Sequence, residues 1–206
     1  MNPSCFPYEA PVATGSTFTS LAGTGTALTL SSLDDGSAVV TLARPITLYG
    51  AQITSLAVGS NGGIIPNSTS SLTLSNKSLP SSSSPVFVIA PFWDDLHGGR
   101  NAGSTIYFFQ SPSGDVTVSW ENWSLYAADS TNTANLNFQV IIRANQEIEF
   151  VYGTMTGTGS VATRAIGDSA TTWIDLGLVA APININSATP GIQSNTAFVY
   201  RRHPSF

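Results

Sequence analysis

Residues 136–153 read LNFQVIIRANQEIEFVYG and carry the strongest structural signal in the chain. Apolar and polar residues alternate on both sides of a short loop at 144–146, which is the two-residue period of a β-strand. A hairpin closed by this loop sets Arg143 opposite Glu147. A slip by one residue would place apolar side chains against polar ones, so the register is well specified. The apolar pairs that this register creates are Ile142 with Ile148, Val140 with Phe150, and Phe138 with Tyr152.

The rest of the chain repeats this kind of signal. Short runs rich in β-branched and aromatic residues are separated by Gly, Ser, Asn or Pro, and helical periodicity is nearly absent. The pattern predicts an all-β fold: an antiparallel, jelly-roll-like β-sandwich of about 10–12 strands with little or no helix. In the run 115–120, alternation turns Val116, Val118 and Trp120 toward the core, and the SPSG turn before it indicates a hairpin with 104–110. The predicted strands are 27–30, 38–43, 53–58, 86–90, 105–110, 116–121, 135–143, 147–152, 161–166, 172–178 and 197–201.

The composition is that of a folded and weakly charged domain. The 206 residues suit one large β domain, and only 9% of them are charged, against about 25% in typical proteins. The formal net charge is −5, with a single lysine, Lys77. Nucleic acids and anionic membranes attract basic surfaces, so neither is expected as a partner. No apolar run approaches the ~20 residues of a membrane span, so membrane insertion is not expected either.

The sequence pattern divides the chain into three segments. An extended N-terminal segment at 1–33 precedes the β-sandwich at 34–180, and the segment 181–206 is either extended or the last strand. Cys5 is the only cysteine, which leaves no intrachain disulfide and no cysteine-based metal site. The N-terminus lacks a charged region followed by an apolar core, so no signal peptide is visible in the chain.

The segment 88–99, VIAPFWDDLHGG, places two adjacent carboxylates after an apolar strand. Because neighbours in an extended chain point to opposite sides, Asp94 and Asp95 make a poor general acid and base pair. They suit Ca²⁺ better, since Ca²⁺ binds about six to eight oxygens, and Asp34 and Asp35 could supply others. The alternative is structural: one Asp caps the turn through backbone N–H groups, while the other is solvated. Ca²⁺ is the only cofactor that the sequence suggests.

No catalytic residues are predicted. His97 and His203 are the only histidines, and neither a G-x-S-x-G nor an H-E-x-x-H motif is present. His97 stands before two glycines and is expected in an exposed loop. A glycan-active enzyme would need a pair of carboxyl groups at a readable spacing, which the chain does not offer. We therefore expect a protein that is not an enzyme.

Aromatic side chains at a surface can bind saccharides through their ring faces. The candidates for ligand contact are Trp93, Trp123, Tyr126 and His97. Alternation places Trp120 in the core and makes Trp123 the better surface candidate, whereas packing in the core or at its rim is the alternative for these rings. Three Asn-x-Ser/Thr sequons would be glycosylation sites only in a protein secreted by a eukaryote. They are Asn67, Asn76 and Asn122.

Several motifs occur together in one order along the chain, and each of them alone is weak. Their combination resembles the nidogen-type (NIDO-like) extracellular β-domain and its relatives in bacterial secreted and surface proteins, over roughly residues 34–167. The resemblance implies an antiparallel β-sandwich that is secreted or lies at the cell surface, with adhesion or matrix roles and without catalysis. The motifs are DDGSAVVTLARPITLYG (34–50), ITSLAVGSNGGI (53–64), VIAPFWDDL (88–96), STIYFFQ (104–110), VTVSWENW (116–123) and NFQVIIRANQEIEFVYG (137–153).

We therefore expect a non-enzymatic extracellular adhesion or binding module, whose partner is a matrix protein, a cell-surface protein or a glycan. The alternative is a structural subunit that self-associates into an extracellular filament, sheath or shell. In that case the terminal segments would exchange strands with the exposed sheet edges of neighbouring copies.

Overall fold

A computed structural model describes residues 8–48, 50–75, 87–161, 171–175, 184–185 and 192–202. These residues form fourteen β-strands and one turn of 3-10 helix, Gly159–Val161. The strands are β1 (Val12–Ala13), β2 (Thr26–Ala27), β3 (Ser37–Leu48), β4 (Ala51–Gly59), β5 (Gly63–Pro66), β6 (Val88–Trp93), β7 (Leu96–His97), β8 (Thr105–Gln110), β9 (Val116–Leu125), β10 (Ala134–Ile142), β11 (Ile148–Gly157), β12 (Thr171–Asp175), β13 (Asn184–Ile185) and β14 (Thr196–Tyr200).

The strands form two antiparallel sheets around one apolar core. The larger sheet has the order β1-β14-β11-β10-β9-β8-β2, with β7 paired to β9, and the smaller sheet has the order β13-β12-β6-β5-β4-β3. The prediction of an all-β antiparallel sandwich is confirmed. Strands β3 to β6 are neighbours both in the chain and in their sheet, and so are β8 to β11. The connections are therefore those of two meanders rather than of the jelly-roll-like arrangement that we expected.

Both terminal segments contribute to the larger sheet. Residues 8–33 supply β1 and β2, and β14 lies between β1 and β11. Tyr8 is buried and forms a bridge with Arg202. Of the strand predicted at 161–166, only residue 161 is described, and it ends the 3-10 helix. The strand predicted at 172–178 corresponds to β12 in its described part.

The hairpin of β10 and β11 has the predicted register. All three apolar pairs lie opposite each other, and the backbone N–H of Arg143 donates to the carbonyl of Glu147 at 2.8 Å. Gln146 closes the loop with a φ of 72°, the left-handed conformation that such hairpin loops use. The Arg143 guanidinium turns to other partners, since it bonds Glu149 at 2.7 Å and Asp115 at 3.3 Å.

A β-bulge in β9 changes which side chains reach the core. Trp120 and Trp123 pair with residues only two apart in β10, so β9 carries one extra residue there. Asn122 takes up the extra length with a φ of 54°, and its N–H donates to Asn137 Oδ1 at 2.9 Å. The side chains of Trp120 and Trp123 are both fully buried as a result. Of the two readings left open for Trp123, packing in the core is therefore the correct one, because the bulge interrupts the alternation that would have turned this residue to the surface.

Buried aromatic side chains of the larger sheet bond the backbone of the smaller one. Three such rings are fully buried, and the polar atom of each donates a hydrogen bond to a backbone carbonyl of the smaller sheet. One carbonyl lies in β6, one at the end of β4 and one just after β4. Buried Trp and Tyr side chains need such partners, because an unpaired polar group in the core is costly. The three bonds run from Trp120 Nε1 to the Gly59 carbonyl (3.0 Å), from Trp123 Nε1 to the Ser60 carbonyl (2.9 Å) and from Tyr152 Oη to the Pro91 carbonyl (2.6 Å).

An N-terminal strap, residues 8–27, crosses the outer face of the larger sheet. Two glutamates of that face, Glu149 on β11 and Glu121 on β9, are only 4% and 6% exposed and hold the strap through their carboxylates. On β10, the Gln139 side chain donates to the Thr19 carbonyl at 2.6 Å. The carboxylates accept from Thr14 Oγ1 (2.9 Å) and Ser16 Oγ (2.5 Å) at Glu149, and from Ser20 Oγ (2.5 Å) and the Leu21 N–H (2.7 Å) at Glu121.

We expect Glu149→Gln to lower the free energy of unfolding by about 1–3 kcal/mol at neutral pH, because it weakens hydrogen bonds to a buried charge. The pKa of Glu149 lies below its ordinary value of 4.5: burial raises it, but hydrogen bonds from Ser16, Arg143 and Thr14 lower it more. Because the pKa of Glu149 is lower in the folded chain than in the unfolded chain, its ionised carboxylate stabilises the fold at pH values above the pKa of the unfolded chain. This contribution to the free energy of unfolding is lost as the pH falls through the pKa of the folded chain. Urea unfolding at about pH 7 and about pH 3 measures both effects.

Glu147→Gln on the same hairpin is the matched control. Its ion pair with Arg201 joins side chains that are 31% and 50% exposed, at 3.6 Å, so it should change stability by no more than about 0.5 kcal/mol. A Glu149→Gln variant with the same pH dependence as the parent chain would contradict the role of the charged carboxylate.

We expect Tyr152→Phe to lower the free energy of unfolding by about 1–3 kcal/mol, because it leaves the buried Pro91 carbonyl without this donor. Thermal and urea unfolding measure the loss. Tyr107→Phe removes a hydroxyl from a half-buried ring on β8 and should cost no more than about 0.5 kcal/mol. Equal stability of the two variants would show that the bond between the sheets contributes nothing.

Candidate functional site

The motifs at 34–36, 59–62 and 91–97 meet at one end of the sandwich. Asn61 holds them together: its side chain is fully buried, its Nδ2 donates to Asp35 Oδ1 at 2.8 Å, and its Oδ1 accepts the Leu96 N–H at 3.0 Å. Gly62 follows with a φ of 76°, and a Cβ there would lie 1.9 Å from the Phe92 carbonyl oxygen. Glycine is therefore required at this point of the turn.

The acidic corner consists of Asp34, Asp35 and Asp95. One carboxylate oxygen from each residue lies within 4.8 Å of the others. Asp94, the fourth predicted ligand, does not join this group. It is 4% exposed, and its Oδ1 accepts the N–H of Asp95 at 2.8 Å. Asp94 therefore caps the turn, as in the structural alternative, while Asp95 joins Asp34 and Asp35.

The acidic corner has the dimensions of a Ca²⁺ site. Ca²⁺ binds oxygens at about 2.3–2.6 Å, so two ligands of one ion lie up to about 5 Å apart. Asp34 Oδ1 is also a buried oxygen that has no hydrogen-bond partner among the described residues. Three carboxylates provide up to six oxygens, and they suit a hard cation better than a soft one. Calcium binding stays a prediction at these three residues.

His97 stabilises a loop. Its Nδ1 accepts the N–H of Gly99 at 2.7 Å, so this nitrogen is not free to act as a base. Its backbone forms a bridge with Asp34, and its ring lies 6.1 Å from that of Tyr126. The residue is half-buried, whereas we had expected it in an exposed loop.

Of the Trp and Tyr candidates for ligand contact, Tyr126 is exposed and the two Trp residues are buried. Trp93 and Trp123 are 2% and 0% exposed, and their Nε1 atoms donate to the carbonyls of Thr73 and Ser60 at 2.8 and 2.9 Å. Neither ring face is available for a ligand, which corrects the prediction for these two residues.

Tyr126 belongs to a loop-end patch that consists of Leu33, His97, Arg100 and Tyr126. The side chains of Leu33 and Tyr126 are 47% and 46% exposed. The Arg100 guanidinium lies 5.4 Å from the Tyr126 ring centre and donates to its carbonyl at 2.9 Å. Sequence reasoning missed Leu33 and Arg100, because neither stands in a motif and only the fold brings them to Tyr126.

The sequons differ in their surroundings. Asn67 and Asn122 are exposed, and both have left-handed backbones with φ values of 51° and 54°. The Asn67 side chain already bonds its neighbouring strand, since Nδ2 donates to the Gln52 carbonyl at 2.9 Å. Asn76 lies outside the described residues.

One comparison with known proteins identifies a family for this chain. The model of the family described as NIDO related matches residues 7–201, which extends the predicted resemblance over both terminal segments. Comparisons with curated proteins and with solved structures give no match. In the described part of the chain, no helix has the length and apolar character needed to cross a membrane. Because the match covers nearly the whole sequence, the chain belongs to the NIDO-related family.

Proposed function

We propose that this protein is a non-enzymatic extracellular binding module that takes part in adhesion, and that it engages its partner through the loop-end patch. Its family relationship to nidogen-type domains supports the extracellular setting, at the cell surface or in secreted form. Matrix proteins, cell-surface proteins and glycans are the partners that this proposal covers.

The observation that carries the proposal is the pair of exposed apolar side chains in the patch. Leu33 and Tyr126 expose nearly half of their surface beside a charged Arg100, in a chain in which about a quarter of the residues are Ser or Thr. Tyr and Arg are enriched where protein interfaces gain most of their binding energy. The acidic corner adjoins the patch through Asp34 and His97, whose backbones form a bridge, and adds negative charge at its edge.

The polar residues around the patch favour binding over catalysis. Asp94 and the Nδ1 of His97 each accept a backbone N–H of their own loop, and Asn61 accepts the Leu96 N–H of the neighbouring loop. Such bonds keep a loop in one conformation. A rigid surface loses little entropy when a partner binds.

We expect Leu33→Ser combined with Tyr126→Ser to reduce binding of the full chain to immobilised, cell-derived extracellular matrix by about tenfold or more, because it removes the apolar anchors. Plate binding with antibody detection gives the half-saturating concentration. Val39→Ser is the matched control, since Val39 is 50% exposed on β3, and it should bind like the parent chain. No binding by the parent chain, or equal binding by the double variant, would contradict the proposal.

Calcium at the acidic corner would stabilise the loop end. We expect CaCl₂ at about 100 times its Kd to raise the free energy of unfolding by about 3 kcal/mol, and chelation to reverse the rise. Asp34→Asn with Asp95→Asn should abolish this response, whereas Glu147→Gln should keep it. An identical melting curve in calcium and in chelator would remove the metal from the proposal.

Self-assembly is the second candidate function, and the edge strand β1 favours it. β1 lies at the edge of the larger sheet, its two residues pair with β14, and Val12 is 47% exposed. A neighbouring copy could supply the same strand in the same register, which is the usual geometry of strand exchange.

Light scattering with negative-stain imaging separates the two functions. We expect particles of about the 21.5 kDa chain mass if the binding module is the correct proposal. Filaments or large regular particles that are lost when residues 1–13 are deleted would establish assembly instead.

A further inference from the structure

An open cavity of about 460 Å³ with a mixed polar and apolar lining lies beside the loop-end patch. Its walls come from residues 99–101, before β8, and from the loop that joins β9 to β10, while Ser124 of β9 also lines it. The volume falls within the range of about 300–1,000 Å³ that is typical of small-molecule sites.

Ser124 brings a buried hydroxyl to this cavity. The residue is fully buried, yet its Oγ has no hydrogen-bond partner among the described residues. Buried polar atoms in folded proteins are nearly always paired, because an unpaired hydroxyl costs about 1–3 kcal/mol. Since Ser124 lines the cavity, a polar ligand atom there would supply the partner.

The walls are fixed before any ligand binds. Asn101 Nδ2 donates to the carbonyls of Trp123 (3.1 Å) and Ala134 (2.8 Å), which ties one wall to the sheet. In the other wall, the Asp129 carboxylate accepts the N–H groups of Thr131 (2.7 Å) and Asn132 (2.8 Å). Such preorganisation lowers the entropy that binding costs.

The charge and chemistry of the walls define the ligand class. Arg100 and Asp129 both line the cavity and carry opposite charges, so their sum favours neither an anion nor a cation. Hydrogen bonds from Thr131 and Asn132 hold the pKa of Asp129 well below its usual range, and it stays charged. The remaining polar residues of the lining include Ser124, Ser130 and Thr133, and since the Thr133 hydroxyl already bonds Thr158 Oγ1 at 3.0 Å, the hydroxyls of Ser124 and Ser130 are left for a ligand. Hydroxyls both donate and accept, which matches a neutral polyhydroxylated molecule.

We propose that this cavity binds one unit of a neutral saccharide, with a sugar hydroxyl or ring oxygen paired to Ser124 Oγ. The inference rests on the proposed binding function and deepens it, since it names a glycan among the partners. Arg100 both lines the cavity and lies over the Tyr126 ring, so a longer glycan would continue from the cavity onto the loop-end patch.

The test titrates the full chain with methyl α-D-mannopyranoside, methyl β-D-galactopyranoside and N,N′-diacetylchitobiose. Saturation-transfer NMR detects binding, and calorimetry gives the Kd. We expect at least one of them to bind at a single site, and Ser124→Ala to raise that Kd about fivefold without lowering the Tm, because one hydrogen bond is lost. Ser130→Trp, which fills the cavity from an exposed position, should abolish binding. Ser55→Ala, on β4 of the other sheet, is the matched control and should bind like the parent chain.

Three outcomes overturn the inference. In the first, none of the three saccharides binds. In the second, a saccharide binds, but Ser124→Ala and Ser130→Trp bind it like the parent chain. In the third, the acidic ligands N-acetylneuraminic acid and acetate bind while the neutral sugars do not. The matrix-binding assay is independent of these results. A chain that binds matrix through Leu33 and Tyr126 but binds no saccharide would retain the proposed function and lose this inference.

Discussion

The sandwich depends on hydrogen bonds that cross its core from aromatic side chains of one sheet to the backbone of the other. Trp120, Trp123 and Tyr152 span the space between the sheets and end on carbonyls at Gly59, Ser60 and Pro91. Apolar burial alone is non-directional and would allow the two sheets to slide. A directional bond at the tip of a large ring fixes one offset, since a shift would leave both donor and acceptor unpaired in the core. The turn at 59–62 therefore keeps a fixed position under β9.

That fixed turn explains why the candidate site forms where it does. Asn61 reaches from the turn to Asp35 and to the Leu96 N–H, and so sets the distance between two loops whose bonded residues are 61 positions apart in the chain. The acidic corner and the loop-end patch lie on these loops or beside the adjacent end of β9, and the cavity next to them is completed by the loop that joins β9 to β10. The hydrogen bonds that fix the aromatic core therefore also fix the position of the candidate site.

The sequence predicts the features that depend on local pattern. The register of β10 and β11 follows from their alternation and from a loop whose length permits one closure. The burial of Trp123 could not be read in this way, because it depends on the Asn137 side chain, which bonds the Asn122 N–H and stabilises a bulge.

Glu121 and Glu149 look like solvated residues in an alternating strand, and only the strap turns them into buried acceptors. For the acidic corner, the sequence predicted that Asp94 and Asp95 would bind a metal together with Asp34 and Asp35, and only the fold shows that Asp95 alone of the two joins them. Ser124, Arg100 and Leu33 carry no sequence signal, since their roles come from neighbours that the fold supplies.

The position of β14 has a consequence for how the chain folds during synthesis. β14 is the last of the described strands to leave the ribosome, yet it lies between β11 and the first strand, β1. Until it emerges, one edge of β11 remains unpaired, and β1 has no described neighbour to pair with. Contacts that join residues more than 100 positions apart, such as Thr14 with Glu149, form slowly because long loops must close first. Between the synthesis of β11 and that of β14, the nascent chain therefore exposes an unpaired β-edge, which makes it a substrate for chaperones and prone to association with other nascent copies.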